Sequence, residues 1–188
     1  MDKLEHPPAE REDFHFHGGH LALDLTATLV GRLKPQQREL LATPPDLDRW
    51  LVASGLGTAK PPSTDRDVKM AHQLRETIYA IAVGRASKAD RDRLNAAAAA
   101  GAATPQLNAS GKLVRTGTAA QLLGSLAQQA VELFGGPHFS RVRQCEGNGC
   151  ARLFVDLSRS GARRWCSMES CGNRAKAETF RGRRGEGR

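Results

Sequence analysis

Residues 145–174 read CEGNGCARLFVDLSRSGARRWCSMESCGNR, and they hold all four cysteines of a 188-residue chain. Cys145 and Cys150 form one C-x4-C pair, Cys166 and Cys171 form a second with the same gap, and fifteen residues lie between the pairs. Two short pairs either side of a small loop can build a tetrahedral Zn2+ site, each turn supplying two thiolates. Disulfides need an oxidising compartment, which nothing in the sequence suggests. Four unrelated core cysteines would not fall into two equal gaps within 27 residues. Four thiolates also suit an iron–sulfur cluster, and the spacing leaves that alternative open. A site closed by four thiolates keeps no position for a substrate, so a structural ion is expected rather than a catalytic one.

Outward from the cysteines, the charge is lopsided. Residues 141–188 carry 12 Lys and Arg against 5 Asp and Glu, whereas residues 1–140 carry 16 against 15. Basic charge this local is the electrostatic footprint of a module that meets a polyanion. The segment 153–156 reads as a short strand, 158–162 as a turn, and Cys171 opens a predicted helix to about Arg181. If that helix continues, Arg174, Arg181, Arg184 and Arg188 share one stripe with Ala177. Arg163, Arg164, Arg174, Lys176, Arg181 and Arg184 are the candidate nucleic-acid contacts, most of them to phosphate. DNA is expected over RNA, because Trp165 and Phe180 look like core and leave few faces for stacking bases. An RNA-binding module, or a zinc module that meets an acidic protein, are the alternatives. Asn173 and Arg174 are expected to support the ligand turn from behind. So small a module should fold only around its metal.

The preceding residues read as a mainly helical domain. Residues 1–13 look like a flexible arm, and Phe14 to Leu25 like an extended run, a glycine turn and then a strand or helix. Helices are predicted over 46–53 with Asp46 as cap, over 64–85 with Ser63 or Thr64 as cap, over 87–100 behind Ser87 and Asp90, and over 119–134. Residues 105–116 read as a hairpin. Gly135-Gly136-Pro137 stops the last long helix and sets the boundary between a domain at 14–137 and a zinc module at 138–188. The expected class is α+β: helices with one short hairpin, then a small treble-clef-like four-cysteine module.

No run approaches the roughly 18 apolar residues of a membrane span, and residues 1–11 show no apolar signal segment, so a cytoplasmic protein without a membrane partner is expected. His15, His17 and His20 are read as surface residues rather than metal ligands. No phosphate loop, nucleophile motif or carboxylate pair stands out, so no enzyme is expected. Asp24 and Arg75 could form a buried ion pair or line an effector pocket. One short finger binds weakly alone, so a homodimer through the helical domain is expected.

The run Arg164-Trp165-Cys166-Ser167-Met168, followed by Cys171-Gly172-Asn173-Arg174, resembles the signature of the CGNR zinc-finger family. Cys145, Cys150, Leu153-Phe154 and Asp156-x-Ser158 fit the same pattern. Earlier residues are similar to the ABATE domain often joined to that finger: Gly19, Leu21, Leu23-Asp24-Leu25, Trp50-Leu51 and Leu74-Arg75-Glu76-x-Ile78-Tyr79. The resemblance implies zinc held by Cys145, Cys150, Cys166 and Cys171, and a proposed role in stress-induced transcription.

Overall fold

The computed structural model describes residues 14–185, with backbone alone for 179, 180 and 182–185. The arm at 1–13 and Arg188 lie outside the described residues, as do the side chains of Phe180 and Arg184.

A short helix, α1 (Leu21–Thr26), resolves the strand-or-helix ambiguity, and His20 caps it through Nδ1, which accepts from the Ala22 N–H at 3.3 Å. Four longer helices form the body: α2 (Pro44–Ala53), α3 (Asp65–Ala82), α4 (Lys88–Ala99) and α5 (Ala119–Gly135). All four begin alike. Thr43, Thr64, Ser87 and Thr118 are the N-caps, and the third helical residue turns its side chain back to the cap's own N–H. These bonds run to Asp46 (2.9 Å), Asp67 (2.8 Å), Asp90 (2.8 Å) and Gln121 (2.9 Å). Each device satisfies amides that the first turn leaves without partners, an effect of about 0.5–2 kcal/mol. Asp46 is therefore the returning acid and Thr43 the cap, because Pro44 and Pro45 suit the first turn, where no N–H is needed. Helix α3 ends three residues sooner than its periodicity predicts. Gly84 takes a φ of 72°, and the N–H groups of Val83 and Gly84 turn back to Tyr79 and Ile81.

The apolar stripes meet in one core. Leu25 of α1, Leu47, Trp50 and Leu51 of α2, Leu74 and Ile78 of α3, and Leu122, Leu123 and Leu126 of α5 are all buried in it. Phe16 stacks on Trp50 with ring centroids 6.2 Å apart. The expected hairpin is present as β3 (Thr104–Leu107) and β4 (Leu113–Thr116), antiparallel, with Leu107 opposite Leu113. Asn108 closes its turn, Oδ1 accepting from the N–H groups of Ser110 and Lys112.

A second hairpin is new. β1 (Leu29–Val30) pairs with β2 (Arg38–Glu39), and residues 31–37 loop between them. Glu39 carries the consequence: its carboxylate takes both terminal nitrogens of Arg75 at 2.7 Å and the Leu41 N–H at 2.9 Å. Arg75 also donates to Thr28 Oγ1 and Glu76. The ion pair expected between Asp24 and Arg75 is instead one between Glu39 and Arg75. Asp24 accepts from the Gly18 N–H at 2.7 Å.

In the C-terminal part, β5 (Val142–Gln144) pairs antiparallel with β6 (Leu153–Val155), and α6 (Asn173–Gly185) follows. This is the expected α+β class with its treble-clef-like end. The two parts share a core in which Leu153 and Val155 pack with Leu23, Tyr79 and Leu133. A backbone bond from Val155 N–H to Gly18 O, at 2.8 Å, ties β6 to the segment before α1.

Candidate metal centre

The four Sγ atoms lie within 4.8 Å of one another. Cys145 and Cys150 stand on the turn between β5 and β6. Cys166 follows the Ser158–Trp165 loop, and Cys171 sits in a π-helical turn, Met168–Gly172, directly before α6. Sγ of Cys166 is 3.9 Å from that of Cys150 and 3.7 Å from that of Cys171. A regular tetrahedron with metal–sulfur bonds of about 2.3 Å has edges of about 3.8 Å. The residues present therefore fit one tetrahedral ion.

Backbone amides complete the cage. The N–H groups of Gly147 and Cys166 point at Cys145 Sγ, at 3.4 and 3.3 Å, and stabilise negative sulfur. Glycine is required at 147 because a Cβ there would stand 2.8 Å from Cys171 Sγ. At Gly172 the fit is close: a Cβ would stand 2.7 Å from Met168 Sδ, the far end of an exposed side chain that can swing aside, and 3.2 Å from Trp165. Cys166 is pulled down to about 4, by a hydrogen bond from Cys150 first of all and against its own burial. The same bond pushes Cys150 up, and burial followed by the Cys166 charge pushes Cys171 up. Thiolates this close repel one another, and a bound cation would offset that repulsion.

The bracing expected of Arg174 belongs to Arg163. Its guanidinium donates to the carbonyls of Trp165 (2.9 Å), Cys166 and His17 (3.3 Å), and lies 4.3 Å above the Phe154 ring. Arg163 is thus half-buried and turned inward, a correction to its place among the nucleic-acid contacts. Asp156, almost wholly buried, ties the same loop, accepting from Ser158 N–H and Oγ and from Arg163 N–H. The Ser158 hydroxyl, outweighing the small effect of burial, holds the carboxyl below its ordinary range. The Asp-x-Ser spacing was the signal available for this loop. Arg163→Ala is expected to cost about 1–3 kcal/mol through orphaned carbonyls and to speed metal loss to a chelator, with Arg163→Lys a poor rescue because it lacks the planar fork. Unchanged metal release in both variants would show that the brace is idle.

Asn173 is exposed, and among the described residues its side-chain amide donates to Glu169 O, at 3.5 Å. Arg174, Lys176 and Arg181 are exposed along α6, whose backbone also includes position 184. Arg164 is 63% exposed, paired with Glu146 at 2.6 Å and lying 4.9 Å from the Trp165 ring centre. His15 is half-buried, and burial, then the charge of Arg152, lowers it to about 4. Among the described residues, the four cysteines are the group suited to a metal ion.

A helical body with a treble-clef-like four-cysteine module on its flank defines the class. Residues 19–137 match the family ABATE, described as "Putative stress-induced transcription regulator", and residues 141–184 match the CGNR zinc finger. The chain belongs to the ABATE family and carries a CGNR zinc finger. Neither is an enzyme family. Among curated proteins, no relative matches the chain. Among the described residues, no helix is long and apolar enough to cross a membrane.

Proposed function

We propose that the chain is a DNA-binding transcription regulator whose four cysteines hold one Zn2+ and whose basic finger contacts the phosphate backbone. The observation that carries this is the set of exposed cations on α6, the helix that follows directly on Cys171: Arg174 and Arg181 share one face, and Lys176 stands on another. The ion orders the helix, so its cations are presented in fixed positions. Zinc is favoured by the sulfur spacing, since an iron–sulfur cluster holds its thiolates on separate irons and needs a wider cage. DNA is favoured over RNA because Phe154 is buried beneath Arg163 and Trp165 is half-buried beside Arg164, which leaves little for bases to stack on.

In this reading residues 138–188 are the contact module, and residues 14–137 sense an effector or partner and form a homodimer. The protein acts in the cytoplasm by binding rather than by catalysis. The test is metal content with duplex binding measured across salt. About one zinc per chain is expected, with affinity falling steeply between about 50 and 200 mM salt. Replacing Arg174 and Arg181, which share one face of α6, together with Gln should lower the salt slope by about 2. Zinc-loaded protein with no duplex affinity, or with a preference for single-stranded RNA, would refute the DNA reading. A monomer by light scattering would refute the dimer.

A further inference from the structure

The β1–β2 hairpin leans over the metal knuckle, and between them lies a cleft of about 460 Å3, within the common range for small-molecule sites of about 300–1,000 Å3. One wall is the hairpin loop with Arg32, Lys34 and Arg38. The other is the finger, with Arg152 and Arg174. Lys34 bridges the two walls: its stem crosses Gly149, where a Cβ would stand 2.7 Å from Lys34 Cε. Arg32 is neutralised by Glu76 and lies 4.1 Å from the Tyr79 ring centre. Among the described residues, Lys34, Arg38, Arg152 and Arg174 have no ion-pair partner and no carboxylate lines the cleft. A divalent ion bound by four thiolates would bring a charge of about −2 to its inner end, which the four free cations still outweigh. The Ser170 hydroxyl, buried and without a hydrogen-bond partner, also lines it. Ala27, Leu29 and Val30 supply an apolar side.

We propose that this cleft binds a phosphate-bearing ligand of nucleotide size. Its phosphates lie among Lys34, Arg38, Arg152 and Arg174, and its apolar part rests on Ala27, Leu29 and Val30. The inference deepens the regulator reading, because it places the effector at the seam between the helical body and the finger. A ligand held by both walls clamps the finger in one orientation. The same phosphate chemistry could also arrive as the backbone of a bound nucleic acid, and the experiment separates the two sources.

The probes are ADP, adenosine and a short DNA duplex, titrated calorimetrically into full-length, metal-loaded protein with metal content checked afterwards. Micromolar binding of ADP and none of adenosine is expected. The double variant Lys34→Gln, Arg38→Gln should weaken ADP binding about tenfold, the loss of two charge-assisted contacts. The charge-matched pair Arg66→Gln, Lys69→Gln, on the exposed side of α3, should not. Arg152→Gln repeats the test from the other wall. If ADP fails to bind but duplex binding weakens in the cleft variants alone, the site stands and its phosphates are those of the polymer. If neither ligand responds to the cleft variants, the proposal is overturned, and wild-type duplex binding would still uphold the finger. ADP binding without duplex binding would uphold the cleft and remove the finger reading.

Discussion

Stripping the metal is expected to unfold the finger and to loosen α1 with it. The cluster around the cysteines contains one fully buried large apolar residue, Phe154, with Trp165 half-buried beside it. That is far too little to order a module of this size, and a structural zinc supplies about 10–16 kcal/mol in small fingers. The effect should then spread. Leu153 and Val155 lie in a core with Leu23, Tyr79 and Leu133, and complete burial of each such side chain contributes about 1.5–3 kcal/mol. Hydrogen exchange with and without chelator, or on Cys166→Ser, reads this directly. Protection should vanish from β5 to the π-helical turn and fall in α1, while the interior of α5 keeps most of its own. Full protection of the finger without metal would overturn the metal's role. A lost finger beside an unchanged α1 would overturn the shared core.

Breaking the Glu39–Arg75 pair should be the next largest effect. Arg75 is 4% exposed and Glu39 27%. Burial pushes the Glu39 carboxyl up, but the bonds from Arg75 and Leu41 N–H and the guanidinium charge together bring it below its ordinary value. Glu39→Ala should cost about 3 kcal/mol, the low end for a broken buried pair, because Glu76 still faces the guanidinium. The melting temperature should fall by about 6–12 °C. The pH dependence has a definite sign. A carboxyl held low stabilises fully above its unfolded value, so the gap between wild type and Glu39→Gln should be complete at neutral pH. It should shrink as pH falls below about 4. A double-mutant cycle with Arg75→Met that gives no coupling would refute the pair.

What was legible in the sequence was local. The helix around Leu74 announced itself by a cap and a 3.6-residue stripe within one segment, that around Leu94 by its cap and alanine run, and that around Leu126 by its stripe and the glycine stop after it. The cysteine set was legible because spacing alone defines two turns. The β1–β2 hairpin was not: strands of two residues carry no alternation. Glu39 finds Arg75 across 36 residues, a pairing set by how the hairpin lies on α3. Exchanging Arg163 for Arg174 as the brace depended on which way the loop after Asp156 aims its side chains. The pattern marked Leu23 and Val155 as apolar but could not say that each would cover the other.

That mutual cover has a consequence for the order of synthesis. Leu23, Tyr79 and Leu133 leave the ribosome before Leu153, which follows Leu133 by twenty residues. At about 5–20 residues per second the gap is about 1–4 s. During that interval the newly made helical body carries an uncovered apolar face. The lid that closes it is a strand of the four-cysteine module, and if that module orders only around its metal, as proposed, metal supply sets how long a nascent chain stays exposed to its neighbours.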